Sequence, residues 1–284
     1  MLVVDKPSGP SSHSVVSAVR RVLGTRRVGH AGTLDPLATG VLVLGIGRGT
    51  RLLHYLVGAD KSYTATMRLG EATATDDAAG EVVRRADASG LDLEAVRAAT
   101  RVWVGAIDQV PSAVSAVKVD GQRAYARVRA GQDVVLEPRR VMVHAIDVLA
   151  ARAVGDCLDV DVAVDCSSGT YIRALARDVG AGLDVGGHLV ALRRTRVGPF
   201  MLDAATRLDA LTDAGPVLAL GTAAASFLPV RTLPDDDAAL VAHGVPPAPS
   251  GVEGPVALLA GDGTLLAVAE DAGSRATLRA VFVG

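Results

Sequence analysis

The sequence predicts an α+β fold with a mixed, largely antiparallel sheet flanked by helices and a small β-rich domain at the C-terminal end. Three observations lead there. Leu158, Val160, Val162, Val164 and Cys166 alternate with Asp159, Asp161 and Asp165, the period-2 pattern of a strand with one buried face. Tyr63, Ala65, Met67 and Leu69 alternate in the same way with Thr64, Thr66 and Arg68. Between such strands lie segments of helical period, and Asp120-Gly121 sits between apolar runs as a hairpin turn should. Long strands interspersed with helices and joined by hairpins belong to the α+β class.

A chain of 284 residues is long enough for one large domain and a small one, and 49% apolar with 21% charged residues excludes disorder as a whole. The formal charge of −2 weighs against a nucleic-acid partner, but it averages two unlike ends. Up to Leu56 the charges are Lys6, Arg20, Arg21, Arg26, Arg27, Arg48 and Arg51 against Asp5 and Asp35, whereas acids prevail after Leu228. Cys157 and Cys166 have no Cys or His at metal-ligand spacing, so two buried free thiols and no metal are expected. Asp5 and Lys6 leave no room for a signal-peptide core, and the run from Pro216 to Val230 is too short to span a bilayer. A cytoplasmic protein that meets no membrane is the expectation.

Along the chain, Leu2 to Val4 forms a strand ended by the loop Lys6-Pro7-Ser8-Gly9-Pro10. Ser11 or Ser12 caps a helix with Val15, Val16, Val19, Val22 and Leu23 on one face, and Gly24 closes it. The arginines at its end suit either the helix dipole or a phosphate-facing patch. Val41 to Ile46 is a buried strand. Gly45-Ile46-Gly47-Arg48-Gly49-Thr50 lacks the endings of a nucleotide cradle and reads as a strand-to-helix turn before a short helix to Leu56.

Ala72 to Ala88 reads as an acid-rich loop whose Asp76-Asp77 pair is a solvated turn. Asp92 caps a helix to Val102. Thr170 can cap a helix with Tyr171, Ile172, Leu175, Ala176 and Val179. Arg173 then stands near the positive end of that helix and needs an acidic partner or a ligand. His188 to Val197 is a strand carrying Arg193, Arg194 and Arg196, whose cationic density suits an RNA backbone.

The most informative stretch is Gly29-His30-Ala31-Gly32-Thr33-Leu34-Asp35-Pro36-Leu37-Ala38-Thr39-Gly40. Its glycines allow tight turns and Pro36 keeps Asp35 out of the helical region, so a loop presents the carboxylate. By itself this is also what a turn aspartate bonded to its own backbone looks like. Further motifs accompany it: Asp5-Lys6-Pro7-Ser8-Gly9 with Ser12-His13, Lys61-Ser62-Tyr63, Ser168-Gly169-Thr170-Tyr171-Ile172-Arg173 and Leu192-Arg193-Arg194-Thr195. Together they resemble the TruB family of tRNA pseudouridine synthases over about residues 2 to 200.

The resemblance implies the pseudouridine-synthase fold, an isomerase that needs no cofactor, and tRNA as partner, engaged through its T stem-loop by a monomer. Asp35 would be the catalytic carboxylate, with Arg173 beside it and Tyr63 packed on the uracil. His30 would fill the place of the flipped nucleotide. Lys6, Gly32, Thr33 and Tyr171 would bind substrate, together with Leu192, Arg193 and Arg194. A catalytic domain over 1–227 would include an RNA-covering insertion at about 118–140, with Lys118, Arg123, Arg127, Arg129, Arg139 and Arg140. Residues 228–284 would be a small β-rich domain, a place where family members often carry a PUA-like one. A noncatalytic tRNA-binding module would use the same arginines without a need for Asp35. A nucleosidase would want a second carboxylate, and none stands out in the motifs.

Overall fold

The computed structural model describes residues 1–113, 118–119, 122–123, 136–213, 215 and 217–283. It comprises two compact units, one of Met1–Pro36, Gly40–Val57 and Val197–Gly284, the other of Leu37–Thr39 and Gly58–Arg196.

In the first unit, strand Leu2–Lys6 runs antiparallel to Thr39–Ile46, with Leu2 opposite Leu44 and Lys6 opposite Gly40. Val28–His30 also pairs antiparallel with Thr39–Ile46, and Thr206–Arg207 lies parallel to the first strand. Helix Ser12–Val22 starts where the Ser11 side chain accepts from the Ser14 amide at 3.1 Å. Its Val15, Val16 and Val19 pack on Leu2, Val4, Leu42 and Leu44, the buried face that the spacing predicts. The opposite strand face, through Val3, Val41 and Val43, shares a core with Leu52, Leu56, Phe200, Leu259, Leu265 and Phe282.

That core reaches the four-stranded sheet Val230–Thr232, Pro255–Leu259, Leu265–Ala272 and Arg275–Val281, in that order. The tail is not purely β. Asp235, Asp236 and Asp237 form the first turn of helix Asp235–Ala242, where carboxylates suit the positive helix end.

The second unit is a sheet in the order Gly187–Val197, Lys61–Leu69, Cys157–Cys166, Arg139–Val154 and Gly105–Gln109. The last three neighbouring pairs are antiparallel, so the expected fold class holds. Tyr63, Ala65, Met67 and Leu69 face inward with Val160, Val162 and Val164, and helix Ile172–Gly182 covers them with Ile172, Leu175, Ala176 and Val179. Helix Leu93–Arg101 adds Val96 and is capped by Asp92, which accepts from the Ala95 amide at 2.7 Å.

Several local expectations are corrected. Residues 72–88 are not one loop, because Glu71–Thr73 and Val82–Arg85 pair as an antiparallel hairpin. Asp76 and Asp77, within it, are buried rather than solvated. Thr170 does not cap the helix after it, since its hydroxyl donates to the Ser167 carbonyl at 3.0 Å. The cap position is Tyr171, whose amide donates to Gln109 Oε1 at 2.8 Å. Cys166 is buried and Cys157 only half-buried, both as free thiols. Lys118–Val119 and Gln122–Arg123 pair as the hairpin that Asp120-Gly121 predicts. The rest of the 118–140 insertion up to residue 135, with Arg127 and Arg129, lies outside the described residues.

Helix Ile172–Gly182 is pinned by glycine. A Cβ on Gly180 would stand 2.3 Å from both the Gly186 carbonyl carbon and the Gly187 nitrogen, which are backbone atoms that cannot swing aside. We therefore expect Gly180→Ala to cost about 1–3 kcal/mol through overpacking. Urea unfolding checks it as a lowered midpoint at unchanged slope. An unchanged midpoint would contradict the close approach.

Candidate active site

The Asp35 loop leaves strand Val28–His30 with the Ala31 amide donating to the Val43 carbonyl at 3.0 Å. Gly32 then takes φ +93, a conformation that other residues rarely adopt. Leu34 is buried, Asp35 half-buried and Pro36 exposed, so the carboxylate sits at the boundary between core and solvent.

Both neighbours of Asp35 are tied down. The Ser12 hydroxyl, at the start of helix Ser12–Val22, donates to the Leu34 carbonyl at 3.0 Å and accepts from the Leu34 amide at 2.8 Å. On the other side, the Pro36 carbonyl accepts from the Gly9 amide at 2.8 Å and from Lys6 Nζ at 3.2 Å. Lys6 is 0% exposed, and its ammonium also donates to the carbonyls of Pro7 and Pro10 at 3.0 and 2.8 Å. The structure thus places Lys6 beneath the loop, not on a surface that could face a substrate. His30 and Gly32 are half-buried, while Thr33 is exposed at the turn.

In the second unit, Thr39 meets strand Gly187–Val197. Its hydroxyl donates to the Leu192 carbonyl at 3.4 Å and accepts from Arg193 Nη1 at 3.2 Å. Arg193 and Leu192 are half-buried there. Arg194, expected beside Arg193 as a phosphate contact, is instead 1% exposed. Alternation along the strand turns it inward, where its guanidinium is hydrogen-bonded to Tyr63.

Tyr63 is 8% exposed and lies opposite Val164 across the strand pair. Lys61, two residues earlier on the same face, donates to the Ala59 carbonyl at 2.6 Å. Burial, aided by the nearby Arg194 charge, brings the Lys61 ammonium down to about 8. Burial likewise pushes the Cys166 thiol up to about 11, which leaves it an inert core group.

Arg173 has the acidic partner that its place near a helix start demands. It is 3% exposed, and Nη1 donates to the Thr75 carbonyl at 2.9 Å and to Asp77 Oδ2 at 3.3 Å. Asp77 Oδ1 accepts from the Thr75 hydroxyl at 2.6 Å and from the Ala79 amide at 3.1 Å. Arg177, one helical turn on, reaches Asp76 at 3.1 Å and Asp178 at 2.7 Å, yet burial still raises the Asp76 carboxyl. Tyr171 is held at both backbone ends by Gln109, which also donates Nε2 to the Tyr171 carbonyl at 3.0 Å.

Sequence reasoning missed Asp77 and Gln109 as site-forming groups, and gave Ser12 and Lys61 only as motif residues without a role of their own. The only signal for Asp77 was the demand of Arg173 for an acid, which does not say which one. Among the described residues, no group of three or more His, Cys, Asp and Glu could hold a metal ion.

Residues 20–172 match the family model described as TruB family pseudouridylate synthase, N-terminal domain. Residues 173–226 match the tRNA pseudouridylate synthase B C-terminal domain. The chain is 54% identical to the tRNA pseudouridine synthase B of Thermobifida fusca (strain YX) over 288 residues, covering 100% of this chain and 98% of that one. With its counterpart from Mycobacterium sp. (strain KMS) it shares 56% identity over 277 residues, 97% of this chain and 93% of the other. Among solved structures it resembles a chain of an H/ACA RNP bound to a substrate RNA containing 2′-deoxyuridine, with a TM-score of 0.74 at 25% identity, covering 99% of this chain and 85% of that one. The archaeal box H/ACA sRNP Nop10–Cbf5 complex gives a TM-score of 0.72 at 26% identity, covering 99% and 86%.

Two outcomes follow from this geometry. Ser12→Ala strips the Leu34 backbone of both partners in a buried place, at about 1–3 kcal/mol for each group left unsatisfied. Hydrogen exchange should show the Leu34 amide opening faster than in the wild type, and unchanged protection would remove Ser12 from the clamp. For Lys61, the folded state releases its proton near 8 and the unfolded chain near 10.5. Between those values the unfolded state binds more protons, so stability rises with pH across the window and is flat below it for this group. The stability difference between wild type and Lys61→Met should therefore move in favour of the wild type from pH 8 to 10, as measured by denaturant unfolding.

Proposed function

The chain belongs to the TruB family of tRNA pseudouridine synthases, and on that premise we propose that it isomerises one uridine in the tRNA T loop to pseudouridine, with Asp35 as the catalytic carboxylate. The observation that carries this reading is the clamp on Asp35. A half-buried acid whose two neighbours are fastened by Ser12, Lys6 and Gly9 is held for work at a fixed position, whereas a turn aspartate needs no such support.

The reaction breaks the N-glycosidic bond of a uridine, turns the uracil and rejoins it through carbon. Atoms and oxidation state are conserved, so the chemistry asks for a carboxylate acting as nucleophile or base and for no redox group. A stacked base cannot offer its glycosidic bond to a carboxylate at a protein boundary, so the nucleotide is flipped out. In this reading His30 occupies the vacated place and Tyr63 packs on the uracil. Arg173 completes the catalytic set, held by Asp77 and the Thr75 carbonyl. Gly32, Thr33, Tyr171, Leu192 and Arg193 line the RNA, and Lys6 serves by supporting the loop. The basic insertion at about 118–140 covers the bound RNA, and phosphate contacts come from exposed cations such as Arg139 and Arg140.

Asp35→Asn keeps shape and most hydrogen bonding while removing the nucleophile or base. It should yield no pseudouridine in an unmodified tRNA transcript, scored by carbodiimide labelling, while tRNA affinity stays within about threefold. The label in wild-type reactions should fall on one T-loop uridine. Turnover by the asparagine variant, or a label elsewhere, would overturn the assignment.

A further inference from the structure

We propose that Arg194 is a positioning residue, which holds Tyr63 in its working orientation and makes the phenol a hydrogen-bond donor toward the bound base. The inference rests on the assignment of Tyr63 to the uracil. Strands Lys61–Leu69 and Gly187–Val197 are neighbours in the sheet, which brings the two side chains together from adjacent backbones. The guanidinium is 1% exposed and hydrogen-bonded to the phenol. Arginine only donates, so Tyr63 Oη must be the acceptor, and the hydroxyl's own hydrogen has to point away from Arg194. A hydroxyl fixed in that sense complements the carbonyl oxygens of a uracil.

Packing alone does not account for this arginine. A buried guanidinium is costly to desolvate, and an apolar residue of similar volume would fill the space without that cost. The cost is increased by Lys61, a second cation on the inward face beside it. An arginine retained there makes sense for what it does to the group that it touches. Nor can it serve as a phosphate contact from a position with almost no accessible surface.

The test is a double-mutant cycle in steady-state kinetics on an unmodified tRNA transcript, with tRNA affinity measured in parallel. Arg194→Met should lower kcat about 10- to 100-fold, the range for a lost charge-assisted hydrogen bond, with KM and tRNA affinity changed less than about threefold. In a Tyr63→Phe background, which keeps the ring and removes the hydroxyl, the same substitution should cost less than about twofold. Arg194→Lys, which retains a donor, should recover part of the loss. If Arg194→Met does not fold by urea titration, the cycle is run with Arg194→Lys, whose loss should likewise vanish in the Tyr63→Phe background. A loss that persists undiminished there, or that appears in tRNA affinity instead of kcat, overturns the inference and leaves the role of Tyr63 intact. Wild-type turnover by both Tyr63→Phe and Tyr63→Ala would overturn the role of Tyr63 itself.

Discussion

The constraint on which the rest depends is that an irregular loop has to hold one carboxylate still. Strands and helices fix their backbones by repeating hydrogen bonds, and the segment from Ala31 to Ala38 has no such ladder. It is fixed from outside by Ser12 on Leu34 and by Lys6 and Gly9 on Pro36. The Lys6 ammonium tolerates full burial because three carbonyls replace its water. This explains the order of the N-terminal elements. A strand ending in lysine, a glycine turn and a helix starting in serine supply three donors within a few residues, all aimed at one loop.

The second unit solves a related problem with charges. Arg173 with Asp77, Arg177 with Asp76 and Asp178, and Arg194 with Tyr63 are buried or half-buried groups, each answered by a specific partner. Such pairs contribute little net stability, since desolvation offsets most of their attraction. What they provide is direction, because a planar guanidinium meets its acceptor in few geometries. The helix that carries Arg173 and Arg177 is itself placed by backbone contact at Gly180 and Gly187, so the arginines start from a fixed base.

How much of this was legible in the sequence follows from the range of the forces involved. The strand Cys157–Cys166, the inward face of Tyr63 and the helix Ser12–Val22 were readable because alternation, helical period and a serine cap are local patterns. The hairpin around Asp76 and Asp77 was not, since the groups that make those acids structural, Arg173 and Arg177, lie about a hundred residues further on. Thr170 looked like a cap because hydroxyls usually cap helices, but its hydroxyl turns to the Ser167 carbonyl, and Gln109 from a distant strand accepts from the amide of Tyr171 at the cap position. Lys6 and Arg194 were assigned to RNA from the family motifs that contain them and from their charge, neither of which reveals which way a side chain faces. The position of Asp35 was readable; what holds it there was not.

Arg194 also bears on the net charge of −2, which sits oddly with an RNA substrate. Counting cations treats each as available to phosphate, yet Arg173 and Arg194 are buried and Lys6 is wholly enclosed. Others are partly committed: Arg20 donates to the Val28 carbonyl at 2.9 Å and Arg48 to the Phe282 carbonyl at 2.8 Å. The cations available to phosphate are thus a subset of those in the sequence, and acids such as Asp77 neutralise arginines that never reach the surface. Net charge is then a poor measure of RNA affinity for this chain, because it sums inward charges that are answered by protein partners with outward ones that are open to solvent. The two roles respond differently to salt: exposed phosphate contacts weaken by counterion release, while buried pairs are screened little.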